Sequence, residues 1–418
     1  MQVAAGSVAS ALAAYRARPD VEFAEPDYIV RARLEPNDPR FPEQWGMRKI
    51  AVPAAWDVSR SAPSVPIAIV DCGIYNESSR VVSPDGRTGH PDMRGKVTRE
   101  QNFSPSPDTD DFCNHGTHVA GISAASTNNA VGVAGVGFDA ALLNAKVLDD
   151  LGGGTDQSVA QGISWAADNG ARVISMSLGR PGACGGTVQA AIDSAWSRGA
   201  VIVVAAGNDG YIGATAPGNC NHVLSAAATD SQDGVAPFSN YGPSIPVGAP
   251  GVGILSSNNT GDYESFSGTS MAAPHVAGLA ALIWSTQFGT SNQAVVDRIV
   301  STADQIPGSG TLVGAGRINA ARAVGSAGQV QATPTPTPTF TLTPTLTPPV
   351  TLTPTPTSGQ LVTFDDLSPA NRALNGQYPT GVIDWGTNSW YVSGPWRASS
   401  RPTASASMAA ARPAPAST

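Results

Sequence analysis

Three short segments of the sequence contain a carboxylate, an imidazole and a hydroxyl in settings suited to nucleophilic catalysis. Asp71 follows the apolar run Ile-Ala-Ile-Val, His115 lies in Asn-His-Gly-Thr-His-Val-Ala-Gly, and Ser270 lies in Gly-Thr-Ser-Met-Ala-Ala-Pro. A serine hydroxyl is a poor nucleophile until a base removes its proton. Histidine is a suitable base near neutral pH, and a buried carboxylate fixes its tautomer. The three residue types together predict acyl transfer through a serine.

Each segment also has an ordinary structural interpretation. Asp71 alone would be an acidic residue at the end of a strand, and Ser270 alone would be the cap of a buried helix. His115 and His118 are three residues apart, which could place two metal ligands on one face of a helix. No glutamate follows in the arrangement of zinc peptidases and no third ligand is evident, so a metal site is disfavoured. Pro274 is expected in the first turn of the helix, where proline is tolerated.

Asn208 is a fourth candidate. It lies in Ala-Ala-Gly-Asn-Asp-Gly, after the most apolar strand-like run of the chain. Its amide could donate a hydrogen bond to the negative oxygen that forms when Ser270 attacks a carbonyl, an interaction that contributes about 3–4 kcal/mol to catalysis. The alternative is a simple Asn-Asp-Gly turn.

Strand-like and helix-like segments alternate between residues 35 and 325. The expected strands are 65–70, 141–148, 173–178, 200–206 and 222–228, and the expected helices are 115–126, 158–169, 187–198, 270–286 and 291–302. Continuous apolar strands that alternate with helices predict an α/β fold with a mainly parallel sheet covered on both faces. Active sites in such folds lie at the carboxyl ends of the strands.

The rest of the chain divides by composition. Residues 1–34 predict a helix at 8–18 and two short strands within 21–33. Residues 326–358 form a Pro/Thr-rich linker, and residues 359–418 combine a truncated β-sandwich segment with a tail that is either naturally disordered or an artefact of truncation or reading frame. The net charge is −8 and no basic cluster occurs, which disfavours a nucleic-acid partner. No apolar run is long enough for a transmembrane helix.

The motifs together resemble those of the subtilisin-like serine peptidases, the subtilases. The chain order Asp, His, Ser is the known order of that family. The resemblance covers residues 36–325, and the segments 36–39 and 44–46 are similar to the start of a thermitase-like mature enzyme. It implies a three-layer subtilisin-like fold and a serine endopeptidase. Ser270 would be the nucleophile, His115 the general base, Asp71 its orienting acid and Asn208 the oxyanion donor.

The resemblance also implies a cleft that holds an extended peptide as an added strand. One edge of the cleft would comprise Leu148, Gly152, Gly153 and Gly154, and the other edge would comprise Ser177, Leu178 and Gly179. One wall of the pocket for the residue before the cleaved bond would comprise Ala205, Ala206 and Gly207. These walls are small and apolar, and no acidic residue is evident at the base. We therefore expect broad cleavage after apolar or aromatic residues.

A calcium site is implied by the loop Thr-Asn-Asn-Ala-Val-Gly-Val at 127–133, which resembles the tight calcium loop of the family. The ligands would be the side chains of Asp38, Asp92 and Asn129 with the carbonyl oxygens of Thr127, Val131 and Val133. Calcium prefers such a mixed shell of six to eight oxygens. The alternative is a glycine-containing surface turn.

The four cysteines permit two disulfides or four thiols, and their number does not decide between them. In the family, the positions of Cys72 and Cys113 face each other beside the substrate cleft, which suggests that they are bonded. Some secreted subtilases pair cysteines near the positions of Cys184 and Cys220. Both pairings suit an oxidising compartment.

Residues 1–34 resemble the second half of an inhibitory propeptide, which would occupy the cleft until self-cleavage between Val30 and Pro36. The resemblance implies an extracellular monomer. No secretory signal follows Met1, so the chain is expected to start downstream of its leader. Two other functions stay open: a non-catalytic scaffold or binding protein on a subtilase fold, and an esterase that uses the same triad.

Overall fold

A seven-stranded parallel sheet determines where the candidate residues lie. The computed structural model describes residues 8–25, 34–80, 86 and 88–325. Within these residues the strand order is β2-β3-β1-β4-β5-β6-β7. The strands are β1 (Ile67–Asp71), β2 (Val97–Asn102), β3 (Leu142–Lys146), β4 (Val173–Met176), β5 (Val201–Ala205), β6 (Val223–Thr229) and β7 (Val247–Pro250). Strand β1 pairs with β3 and β4, so Asp71 ends a central strand.

Helices cover both faces of this sheet. The helices in the described residues are α1 (Val8–Arg16), α2 (Trp45–Lys49), α3 (Val52–Trp56), α4 (Gly116–Ala124), α5 (Asp156–Asp168), α6 (Gly186–Ser197), α7 (Thr269–Trp284), α8 (Asn292–Ser301) and α9 (Ala320–Val324), and those that contact the sheet are α4 to α8. Successive residues of β1 face opposite sides: Ile67 and Ile69 belong to the core that contains α4 and α7, whereas Ala68 and Val70 belong to the core that contains α5 and α6. The predicted three-layer α/β fold is confirmed.

A two-stranded antiparallel hairpin packs against α4. It consists of β8 (Ile254–Ser257) and β9 (Tyr263–Phe266). The hydroxyls of Ser256 and Ser257 donate to the carbonyl oxygens of His118 and Thr117 at 2.8 and 2.9 Å. The hairpin therefore supports the first turns of the helix that follows His115.

The segments outside the alternating region agree only in part with expectation. Helix α1 covers most of the predicted helix at 8–18. The first short strand expected after it is wrong, because residues 21–25 form no strand. The second, together with the linker 326–358 and the segment 359–418, lies outside the described residues. None of the described helices is long and apolar enough to span a bilayer.

Candidate functional site

The end of β1 and the start of α4 are in direct backbone contact. Gly73 adopts φ +115°, and a side chain there would overlap the carbonyl of Thr109. A Cβ atom on Gly116 would lie 1.9 Å from the Gly73 carbonyl oxygen. Glycine is therefore required at both positions. The close approach brings Asp71, two residues before Gly73, and His115, directly before Gly116, to the same edge of the sheet.

Asp71 and His115 form a hydrogen-bonded pair. Nδ1 of His115 lies 2.9 Å from Oδ1 of Asp71, which also accepts from the N–H of Cys72 at 2.8 Å. Asp71 is fully buried, whereas the imidazole is half-buried. With its proton on Nδ1, the neutral ring leaves Nε2 free to accept a proton. Burial alone lowers the pKa of His115, but the charge of Asp71, its hydrogen bond and the charge of Asp111 outweigh burial and raise it.

Ser270 lies in the first turn of α7, next to Ser177. Its hydroxyl donates to the Ser177 carbonyl oxygen at 3.2 Å, while the Ser177 hydroxyl donates to the Ser270 carbonyl oxygen at 2.8 Å. The expectation that Pro274 occupies the first turn is wrong, because it lies inside the helix in the second turn. Proline has no N–H for the carbonyl four residues earlier, which is that of Ser270. The Ser177 hydroxyl replaces the missing donor.

Asn208 is held by the residue before Ser270. Its Oδ1 accepts from the backbone N–H of Thr269 at 2.8 Å and from the Thr269 hydroxyl at 2.9 Å. The amide oxygen is therefore fully used, and the two N–H donors are left for the cleft. This orientation suits donation to an oxyanion.

The candidate residues line a cleft made of two adjoining pockets of about 430 and 280 Å³. His115 lies in the first, and Ser270 and Asn208 lie in the second. Residues 177–180 line both pockets, so the predicted edge of Ser177, Leu178 and Gly179 runs past the imidazole and the hydroxyl.

Most of the other predicted cleft residues lie along these pockets. Leu148, Gly152 and Gly154 line the first, and Ala205 and Gly207 line the second. Two do not line either. Gly153 donates its N–H to the Asp149 carboxylate, and Ala206 is buried with its backbone bonded to residues 215 and 226.

The predicted calcium residues surround the loop 127–133. Asp92 is buried, and it accepts from the side chain of Asn129 at 3.0 Å and from the N–H of Val133 at 2.9 Å. Asp38 accepts from the N–H of Asn128, and its other oxygen is buried without a hydrogen-bond partner among the described residues. Burial raises the pKa of Asp92 to about 6. Two buried carboxylates and one unpaired oxygen fit a divalent cation, to which the carbonyls of Thr127 and Val131 could add ligands.

Both predicted cysteine pairs are disulfides in the structure. Cys72 is bonded to Cys113, which joins the residue after Asp71 to the segment before His115. Cys184 is bonded to Cys220. The first disulfide lies beside the hydrogen-bonded pair of Asp71 and His115. The second joins the segment before α6 to the segment before β6.

Sequence reasoning missed two residues that hold the site. Thr269, which orients Asn208, could have been found from its place directly before Ser270. Asp111, a buried carboxylate four residues before His115, gave no local signal, because its contacts form only in the fold. His118 does not join His115 in a metal pair. Its Nε2 bonds to the Glu264 carbonyl oxygen at 2.9 Å, and burial lowers its pKa to about 4.

Comparison with known proteins places this arrangement in a family. The model of the subtilase family, Peptidase_S8, matches residues 63–321, more than half of the chain. The chain belongs to the subtilase family. This subtilase is therefore a serine endopeptidase, and its substrates are polypeptides.

Several relatives match the subtilase over long segments. Thermitase of Thermoactinomyces vulgaris is 44% identical over 69% of this chain and 99% of its own length. A thermophilic serine proteinase of Bacillus sp. (strain AK1) is 41% identical over 76% of each chain. A solved protease structure from Pseudoalteromonas arctica has 36% identity and a TM-score of 0.56 over 69% of this chain and 98% of its own.

Proposed function

We propose that Asp71, His115, Ser270 and Asn208 carry the peptidase reaction of this subtilase. The observation that supports this most directly is the 2.9 Å bond between Asp71 and Nδ1 of His115, at the sheet edge where α7 presents Ser270. The bond fixes the tautomer in which Nε2 is a base. Asn208 and the N-terminal turn of α7 would supply hydrogen-bond donors to the oxyanion.

Acylation uses these groups in sequence. The Ser270 hydroxyl leaves the Ser177 carbonyl and gives its proton to Nε2 of His115 as Oγ attacks the substrate carbonyl. The resulting oxyanion accepts from the Asn208 amide, and Asp71 stabilises the imidazolium. The imidazolium then protonates the leaving amine, the C–N bond breaks, and an ester of Ser270 remains.

Deacylation repeats the steps with water. His115 takes a proton from a water molecule, the hydroxide adds to the ester carbonyl, and Asn208 again binds the oxyanion. The proton returns from His115 to Ser270 Oγ as the acid product leaves.

We further propose that the substrate lies in the two pockets as an extended strand between the loop that contains Gly152 and Gly154 and the segment that contains Ser177 and Gly179. The lining of the second pocket is mostly small, with Ala205 and Gly207 beside Ser270. The small residues support broad specificity with a preference for apolar or aromatic residues before the cut, and the charged residues Arg180 and Asp209 also line this pocket.

Calcium, secretion and maturation complete the proposal. Calcium would bind at Asp38, Asp92 and Asn129 and anchor the loop 127–133 against residues 37–40. Two disulfides suit an extracellular monomer. Residues 1–34 would act as the second half of an inhibitory propeptide and be lost on activation.

A fluorophosphonate probe tests the catalytic assignment. We expect the full chain, expressed with calcium, to be labelled on Ser270 and to lose residues 1 to about 34. Ser270→Ala should abolish both events, and it should lower kcat by about 10⁶. Folded protein without label would refute the catalytic roles. Label with an intact N-terminus would refute only the proposed maturation. Chromogenic ester and peptide substrates, compared on the same preparation, separate an esterase from a peptidase.

A further inference from the structure

Asp111 is a second buried carboxylate beside the Asp71–His115 pair. It is 3% exposed. Its Oδ2 accepts from the N–H of Thr117 at 2.8 Å, and its Oδ1 lies 3.4 Å from the N–H of His115. These donors belong to the N-terminal turn of α4, where no helical carbonyl is available to accept from them. Asp111 therefore holds the backbone that carries the imidazole.

Two other elements hold Asp111 itself. Its carbonyl oxygen accepts from the Asn259 side chain, in the turn of the β8–β9 hairpin, at 3.0 Å. Its Oδ1 lies 3.3 Å from Sγ of Cys72, and the disulfide to Cys113 joins the two segments. These contacts fix the backbone of Asp111, and the N–H of Thr117 fixes its carboxylate beside His115.

The other charged groups around His115 are satisfied elsewhere or neutral. Asp71 is its hydrogen-bond partner, and His118 on α4 is neutral near pH 7 because burial lowers its pKa to about 4. The Lys146 ammonium on β3 donates to the Asp150 carboxylate and to two carbonyls. The remaining carboxylates have partners of their own: Asp110 accepts from the N–H of Arg80, and Glu264 on β9 accepts from the Asn114 side chain.

We propose that Asp111 is a positioning residue for His115. Asp111 fixes the first turn of α4 and adds a second negative charge that favours the imidazolium form of His115. The proposal rests on the proposed role of His115 as the general base. Burial raises the pKa of Asp111, and the N–H groups of Thr117 and His115 oppose that rise. The charge of Asp111 in turn raises the pKa of His115, in addition to the larger effect of Asp71.

Asp111→Asn tests the charge, because the amide oxygen still accepts from Thr117 while the charge is lost. The quantity to measure is kcat/KM for a peptide substrate between pH 5 and 9. Activity falls on the acid side when His115 becomes protonated. Loss of a nearby negative charge lowers the pKa of His115, so the acid limb should move to lower pH by about half a unit or more. Activity at the alkaline plateau should fall less than tenfold.

Asp110→Asn is the matched control, since it removes a buried carboxylate one residue away that accepts from the N–H of Arg80. We expect it to move the acid limb less. Asp111→Ala should show the same shift and a lower plateau, because the α4 turn loses its acceptor. An unmoved acid limb in Asp111→Asn, or an equal shift in Asp110→Asn, would overturn the proposal.

Fluorophosphonate labelling separates this result from failure of the proposed function. An unlabelled wild type refutes the catalytic assignment, whereas a labelled wild type with an unmoved Asp111→Asn profile refutes only the role of Asp111. If Asp111→Asn does not fold, Asp111→Ser serves instead, because its hydroxyl is a smaller neutral acceptor for the N–H of Thr117. An unmoved acid limb in that variant would overturn the proposal.

Discussion

The hydroxyl of Ser177 donates to the carbonyl oxygen of Ser270 at 2.8 Å, and the hydroxyl of Ser270 donates back to the carbonyl oxygen of Ser177 at 3.2 Å. The residue that follows strand β4 is therefore joined to helix α7 at the proposed nucleophile. The exchange exists because Pro274 leaves a helical carbonyl without its usual donor.

Ser177→Ala should destabilise the protein, because the carbonyl oxygen of Ser270 then has no donor from the helix. The expected loss in the free energy of unfolding is about 1–3 kcal/mol, with a lower kcat. Ser175→Ala, in the strand β4 that precedes Ser177, is the control, since that buried hydroxyl has no partner among the described residues and its loss should cost little. Denaturant unfolding and kcat measure the two effects. In a Pro274→Ala background, the loss in the free energy of unfolding caused by Ser177→Ala should be smaller, because the alanine supplies the helical N–H. An unchanged loss would contradict the conclusion that the Ser177 hydroxyl replaces that donor.

Asn208→Leu should lower kcat by about 10²–10³ while KM stays nearly constant, because the donor acts on the oxyanion rather than on the bound substrate. Thr269→Val removes one of the two hydrogen bonds that orient Asn208. It should lower kcat by about fivefold, as expected for one net hydrogen bond of about 1 kcal/mol. Thr269→Ser keeps the hydroxyl and should stay close to wild type. A change confined to KM would place Asn208 in substrate binding instead.

Calcium should stabilise the protein through Asp38 and Asp92. At a free concentration of 100 times Kd, the expected gain is about 2.7 kcal/mol, seen as a higher Tm that a chelator reverses. Asp92→Asn should remove most of this gain. Asp168→Asn, an exposed carboxylate paired with Arg198, is the control and should keep it. Equal calcium responses in all three proteins would show that the ion binds elsewhere.

The two disulfides should differ in their effect on activity. They close loops with sequence separations of 41 and 36 residues, so replacing either pair by serine should cost a similar amount of stability, about 4 kcal/mol. The double variant Cys72→Ser/Cys113→Ser should in addition have a lower kcat at a temperature where both double variants are folded, because this disulfide joins the segments that carry Asp71 and His115. The double variant at Cys184 and Cys220 should keep its kcat. Equal kcat values for the two double variants would contradict this expectation.

The five strands that were predicted are buried on both faces, although burial was not sufficient, because β7 and β8 are also buried and were missed. Ile67–Asp71 and Val201–Ala205 are continuous apolar runs, and burial in a parallel sheet explains why. Strand β2 was missed because its sequence, Val-Thr-Arg-Glu-Gln-Asn, is polar and forms the edge of the sheet, where half of its residues are exposed.

The site was predictable where a residue type defines its chemistry. Asp71, His115, Ser270 and Asn208 each follow or begin an element, and the fold brings them to one edge. Pro274 was misplaced because the donor that makes an internal proline tolerable comes from Ser177, far away in sequence. Asp111 was missed for the same reason, since its role depends on α4, the hairpin turn and a disulfide.

The contact between Gly73 and Gly116 has a consequence for mutational scanning. Neither residue has a functional group, yet a single added methyl at Gly116 would meet the Gly73 carbonyl at 1.9 Å and push α4 away from β1. In a scan that scores each variant by its peptidase activity, substitutions at both glycines should be as damaging as substitutions of Asp71, His115 or Ser270. Labelling of folded protein by a fluorophosphonate at high probe concentration would separate the two glycines from Ser270, because a protein with a displaced Asp71–His115 pair reacts slowly whereas a protein without the nucleophile does not react.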